Sequence, residues 1–208
     1  ELTADGSKVV VITLSSKLSG TYAGAVSAAR SFPDQVFVVD SLNVCIGERI
    51  LIQHAIRLLK NGISARELVE RLEKDRNRIK LMALLGTLEY LQKGGRISAI
   101  TAVSGSVLHI KPVISVEDGE VKMVGKAMGS KKGNNLLMQL IRKSGGIDFD
   151  MPCATAYSGL EDSLLQKYLK DSSFLFEDKQ KEIPSYCIGS TIGTHVGPGA
   201  IAVAFFAK

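Results

Sequence analysis

Three clusters of polar residues carry types and spacings suited to holding or transforming a ligand. The first is Ser15-Ser16-Lys17-Leu18-Ser19-Gly20-Thr21-Tyr22, where hydroxyls and a glycine crowd the start of a helical pattern. Free backbone N–H groups and the positive end of the helix dipole suit a carboxylate or phosphate there. The same residues also fit a plain helix cap at Ser19, with the other hydroxyls satisfying the turn. The run is neither a GxxxxGK phosphate loop nor a GxSxG nucleophile elbow. The second cluster is Gly193-Thr194-His195-Val196-Gly197-Pro198-Gly199. Three glycines and a proline around one imidazole predict a tight, preset loop, whose histidine can donate to an anion and changes charge near neutral pH. An exposed histidine on an ordinary turn fits equally well. The third is Gly94-Gly95-Arg96, after a short predicted helix at residues 89–92. Arg96 offers a planar fork for carboxylate or phosphate, or is a surface charge.

Catalysis and metal binding find less support. The histidines (His54, His109, His195) and cysteines (Cys45, Cys153, Cys187) show no CxxC, HxxxH or HExxH spacing, so no metal site is expected. His54 shares a helical face with Ile50, Leu51 and Leu58 and reads as a core histidine, while His109 stands at a strand entrance. Ser16 with His195 would be half of a triad, but no acid is marked to orient the imidazole. No catalytic residue is expected. Binding fits better than turnover.

The elements that must position these clusters change character along the chain. Residues 9–14 form an apolar, β-branched run that predicts a strand buried on both faces. It would deliver the Ser15 loop to the carboxyl edge of a sheet, where α/β folds place ligands. A helix follows with Tyr22, Ala25, Val26 and Ala29 on one side, then a second short strand at 36–39. The next helix carries Ile50, Leu51, Ala55, Leu58 and Leu59 on its stripe. Ser64 and Glu67 then form a capping box, with Ile63 and Leu68 at the staple positions. After Lys80, runs at 113–116 and 121–124 flank Asp118-Gly119, the mark of a two-residue hairpin. Helices are predicted at 134–143 and 160–170, and strands at 153–157, 185–188 and 200–206. The expected fold class is α/β with a partial parallel sheet flanked by helices, followed by an α+β domain with a mainly antiparallel sheet. The division is placed at 1–78 and 79–208. Two strands make a narrow parallel sheet.

Composition excludes several classes. The 208 residues are 45% hydrophobic and 23% charged, with net charge +5, the balance of an ordinary globular chain rather than a disordered or fibrous one. Charges interrupt every apolar run before the ~18 residues of a membrane span, and no leader segment is recognised at the start. The basic residues are dispersed, and around residues 66–80 they alternate with acids as on a solvated helix face, so nucleic-acid binding is not expected. Three scattered cysteines fit a reducing compartment, and the expected location is cytoplasmic.

The three clusters together, with Leu88-Glu89-Tyr90-Leu91-Gln92-Lys93 before Gly94, Asp40-Ser41, and Lys111-Pro112-Val113-Ile114 before the Asp118-Gly119 hairpin, resemble the bacterial DegV family from end to end. The resemblance implies a protein, not an enzyme, that binds a long-chain fatty acid in a buried apolar pocket and has no other cofactor. It implies carboxylate-binding roles for Ser15, Ser16, Thr194 and His195, with the helix N-terminus at Ser19 and Gly20 near the headgroup. Arg96 would handle the headgroup or face a fatty acid kinase that receives the acyl carboxylate. The chain is expected to lack the family's first ~70–80 residues, on the order of a small domain. It also departs from the basic run that kinase-partnered members carry after the hairpin, having Met128 and Ser130 among Lys126, Lys131 and Lys132. The competing reading is an enzyme of small phosphorylated or carbonyl substrates that uses the same anion cradle.

Overall fold

Val9–Thr13 (β1) and Val36–Asp40 (β2) pair in parallel as a two-stranded sheet, Val9 opposite Val36 and Thr13 opposite Asp40. The computed structural model describes residues 2–97, 110–177, 179 and 182–208, so the expectation for His109 lies outside the described residues. Residues 9–12 are half-buried rather than buried on both faces as the apolar run suggested. Among the described residues only β2 pairs with β1, and the connecting helix α1 (Thr21–Ala29) contributes no fully buried side chain.

Two further helices, α2 (Ile46–Lys60) and α3 (Ala65–Asp75), bury Ile50, Leu51, Leu68 and Leu72. The capping box forms as its spacing predicts: the Glu67 N–H donates to Ser64 Oγ, and the Ser64 N–H donates to the Glu67 carboxylate at 3.1 Å. His54 on α2 is buried, as expected of a core histidine, with Nε2 2.8 Å from Asp75 Oδ2. The ring of Phe206 meets it edge-on.

The larger sheet has six strands: β3 (Ile79–Leu84), β4 (Ile110–Glu117), β5 (Glu120–Met128), β6 (Ala154–Tyr157), β7 (Ser185–Cys187) and β8 (Ile201–Phe206). Their spatial order is β5-β4-β3-β8-β6-β7, antiparallel throughout except for the parallel β6–β7 pair. The hairpin turns where predicted, with Asp118 and Gly119 both at positive φ, as a type I′ turn requires. The strand β3 is a correction. Its apolar run shows no alternation, and it fell at the presumed boundary between the two parts. It pairs with β4 on one side and β8 on the other, and so lies mid-sheet with both faces covered.

Helices α4 (Glu89–Lys93), α5 (Gly129–Lys143), α6 (Ser163–Asp171) and α7 (Ser190–Val196) follow, with short 3-10 turns at Arg76–Arg78 and Ser173–Phe176. The core lies on both faces of the six-stranded sheet. Ala200, Ala202 and Ala204 of the last strand and its approach share one face with the α2 and α3 side chains. Ile201, Val203 and Phe205 share the other with Leu137 of α5 and Leu165 of α6. Alternate residues of one strand thus present a small-residue face and a large-residue face. Among the described residues no helix is long and apolar enough to cross a membrane.

Candidate functional site

Strand register decides where space remains. Ala83 stands opposite Ala202, and Ala202 opposite Ala156, so three alanines lie side by side across β3, β8 and β6. One row further, Leu81 stands opposite Val116, and Val116 opposite Val121. Ala83 and Ala202 leave a trough over β3 and β8, and Ile114, Leu81, Val116 and Val121 border it on the β4 side. Over the trough lie Leu18 and Val44 from loops of the first sheet, and Ile192 and Val196 from α7. Together they bound a cavity of about 160 Å³, walled mainly by aliphatic side chains.

Side-chain polarity enters this wall from Ser19, Arg96, Thr191 and His195. Three of these come from the three separate sequence clusters, and contacts tie them together. Arg96 Nε donates to the Leu18 carbonyl at 3.3 Å, and its NH1 donates to the Gly94 carbonyl at 2.7 Å. Gly94 in turn packs directly against the His195 ring. This cluster sits at the end of the sheet where β3 leads to α4 and α7 leads to β8. Leu84 is paired there with Ile201.

His195 does not lie in a loop, as the glycine pattern suggested, but in the last turn of α7. Four of its flanking residues, Ser190 to Gly193, are compatible with a short helix. The tight turn begins only at Gly197 and Gly199, both at positive φ. Ser158 locks that turn: its Oγ donates to the Gly197 carbonyl and accepts from the Ala200 N–H at 2.9 Å. Tyr90 of α4 lies so close to Gly197 that a Cβ there would overlap its ring. Nδ1 of His195 is buried with no hydrogen-bond partner among the described residues.

The other expected residues stand elsewhere. Ser15 is fully buried outside the cavity wall, with Oγ donating to the Gly119 carbonyl at 2.7 Å and accepting from the Lys17 N–H. It clamps the hairpin tip to the first sheet. Ser16 is exposed, and its N–H donates to the Asp40 carboxylate at 3.2 Å. Ser19 Oγ accepts from the Thr21 N–H at 3.2 Å and pairs with Thr21 Oγ1 at 2.9 Å. Gly20 is the exposed N-cap of α1. Thr194 is exposed and donates to the Thr191 carbonyl of its own helix.

Sequence reasoning missed the alanine trough and the Ser158 lock. The trough had a visible signal, the alternation Ala200-Ile201-Ala202-Val203-Ala204. Ser158 had none, because its partners lie about forty residues away. Cys45 lines the cavity, and burial pushes its thiol above the ordinary range, so it is a neutral wall. Among the described residues no group of His, Cys, Asp or Glu is placed to hold a metal.

Comparison with known proteins bears on this geometry. The family model described as an uncharacterised protein of the DegV family matches residues 1–208. A DegV domain-containing protein of Caldanaerobacter subterraneus is 34% identical over 205 residues, covering 96% of this chain and 71% of its own length. A Thermus thermophilus structure, described as fatty acid binding of a DegV family protein, is similar with a TM-score of 0.83 and 28% identity. The match covers 97% of this chain and 71% of that one. A structure described as a DegV lipid binding protein from Thermotoga maritima gives 0.78 at 25% identity, over 98% and 71%.

Proposed function

This chain belongs to the DegV family, and on that basis we propose that it binds a long-chain fatty acid, acyl chain along the alanine trough and carboxylate among Ser19, Arg96 and His195. The observation that carries the reading is the meeting of three sequence-distant polar clusters at one end of an otherwise apolar cavity. Each methylene moved from water into such a cavity contributes about 0.8 kcal/mol, so the chain supplies affinity and a few polar groups suffice to orient the head. Arg96 supplies positive charge and a fork-shaped donor set. His195 and Ser19 supply further hydrogen-bonding groups at the same mouth. Ser15 and Thr194 serve the frame, and Ser16 stays at the loop's exposed side.

A cavity of about 160 Å³ is close to the ~150 Å³ that accepts one benzene ring, so a long chain enters with movement of one wall. The two walls differ in the freedom they have. Leu81, Ala83 and Ala202 are buried and held by strand pairing, whereas Leu18, Val44, Ile192 and Val196 are half-buried and sit on loops and a seven-residue helix. Widening therefore occurs on the α7 side.

We read the activity as binding without turnover. The cavity's thiol is held neutral, and the groups at the mouth are those that hold an anion. Arg96 at this mouth is exposed, which supports presentation of the carboxylate to a separate fatty acid kinase, the partner that the family resemblance implies. The test of binding is mass spectrometry of organic extracts from purified protein. Near-stoichiometric long-chain fatty acid is the expected result, and a His195→Ala protein should retain less of it. A protein that takes up none when incubated with oleate sinks the reading. The kinase step is tested by acyl phosphate formation when loaded protein, ATP and such a kinase are combined.

A further inference from the structure

We infer that Val116 is the residue that sets the length of acyl chain the cavity accepts, an inference that rests on the fatty-acid reading above. The floor runs along β3 to Leu81 from Leu85, the residue that follows the strand near the polar mouth, about 13 Å at ~3.3 Å per residue. At its far end Leu81, Val116 and Val121 stand side by side across three strands and line the cavity. Val116 is 5% exposed and is the member of this row that also borders a second space. That space is a cleft of about 340 Å³, lined by Asn43, Arg76, Asn77, Lys80 and Glu117 among others.

The cavity and the cleft lie end to end along the same strands. On β3, Ile79 and Lys80 border the cleft while Leu81 and Ala83 border the cavity. On β4, Glu117 borders the cleft and Ile114 the cavity. Val116 is the wall between an apolar space and a polar one. A methyl terminus gains nothing by displacing water from the amides and charges of the cleft, and would strand those groups without partners. A β-branched side chain is also restricted at χ1, and Val116 is packed at 5% exposure, so this wall resists swinging aside. The acyl chain therefore ends against Val116.

The experiment measures dissociation constants of wild type, Val116→Ala and Val116→Leu for saturated fatty acids from decanoic to eicosanoic. Thermal melts confirm that each variant is folded. Val116→Ala should move the tightest-binding member to a longer chain, with about a fourfold gain for each additional buried methylene. Val116→Leu should move it to a shorter chain with a comparable loss for the longest members. If one variant does not fold, the shift in the other decides. Wild-type binding with the same chain-length profile in the folded variants overturns the role of Val116 and leaves fatty-acid binding intact. A folded wild type that binds no member of the series overturns the fatty-acid reading, and this inference with it.

Discussion

His195 and Gly94 are in direct contact: a Cβ on residue 94 would overlap Nδ1 of the imidazole and lie 2.7 Å from its Cε1. Gly94 has φ −77°, an ordinary helical value, so its lack of a side chain serves this approach and not the backbone. A Gly94→Ala substitution should push the imidazole aside with little strain of its own. The expected outcome is fatty-acid binding weakened about tenfold, the worth of one hydrogen bond, with the melting temperature nearly unchanged. Titration with a fluorescent fatty acid checks it. Unaltered affinity would mean that His195 does not hold the head.

Ser15 offers the opposite test, because its hydroxyl is spent inside the frame. Removing it leaves the buried Gly119 carbonyl without its 2.7 Å donor and the Lys17 N–H without its acceptor. Ser15→Ala should cost about 1–3 kcal/mol of stability in denaturant titrations. Its effect on ligand affinity should be smaller than that of His195→Ala. Full stability with lost binding would return Ser15 to the head site.

Glu48, half-buried in the first turn of α2, has its carboxyl pushed up by burial from an ordinary 4.5 to about 7. The folded state holds this proton more tightly than the unfolded chain does. Its favourable contribution is complete below pH 4.5, declines as pH rises toward 7, and is absent above. Glu48→Gln should therefore be more stable than wild type at pH 8, by about 1–2 kcal/mol once solvent screening of this partly exposed group is allowed for, and equal to it near pH 4. Melting curves at the two pH values test the sign.

Asp75 behaves in the reverse sense. Burial alone would raise its carboxyl, but hydrogen bonds from His54 and Arg71, and the charge of Arg71, outweigh burial and hold it below 3.8. The stability it contributes is present above pH 3.8 and is lost as the pH falls through the lowered value. Asp75→Asn should cost roughly 2–3 kcal/mol at pH 7, because it weakens a buried pair from one side. The gap should narrow at pH 3. An Asp75→Asn protein as stable as wild type at pH 7 would show that the His54 contact contributes nothing.

By itself the sequence determined the local features whose causes are local. The capping box at Ser64 and Glu67, the Asp118-Gly119 turn and the Ile50, Leu51 and Ala55 part of the α2 stripe each depend on residues a few positions apart and formed as their spacing required, whereas Leu59, read as part of that stripe, is exposed. The change from a parallel pair to a mainly antiparallel sheet was legible for the same reason. The helix around His195 was hidden, because glycines that permit a turn do not forbid a helix. The strand β3 was hidden because residues 79–84 carry one β-branched residue and a lysine and directly follow the charged segment read as the boundary between the two parts. Tertiary structure alone decided which polar residues share a site. Ser15 and Ser19 belong to one short motif, yet one clamps Gly119 while the other borders the cavity. It also decided that alanines from three strands fall into one row and that Val116, one row further on β4, borders both the cavity and the neighbouring cleft. Cavities are made by register between distant strands, and register is a property of pairing, set by which faces must be buried together.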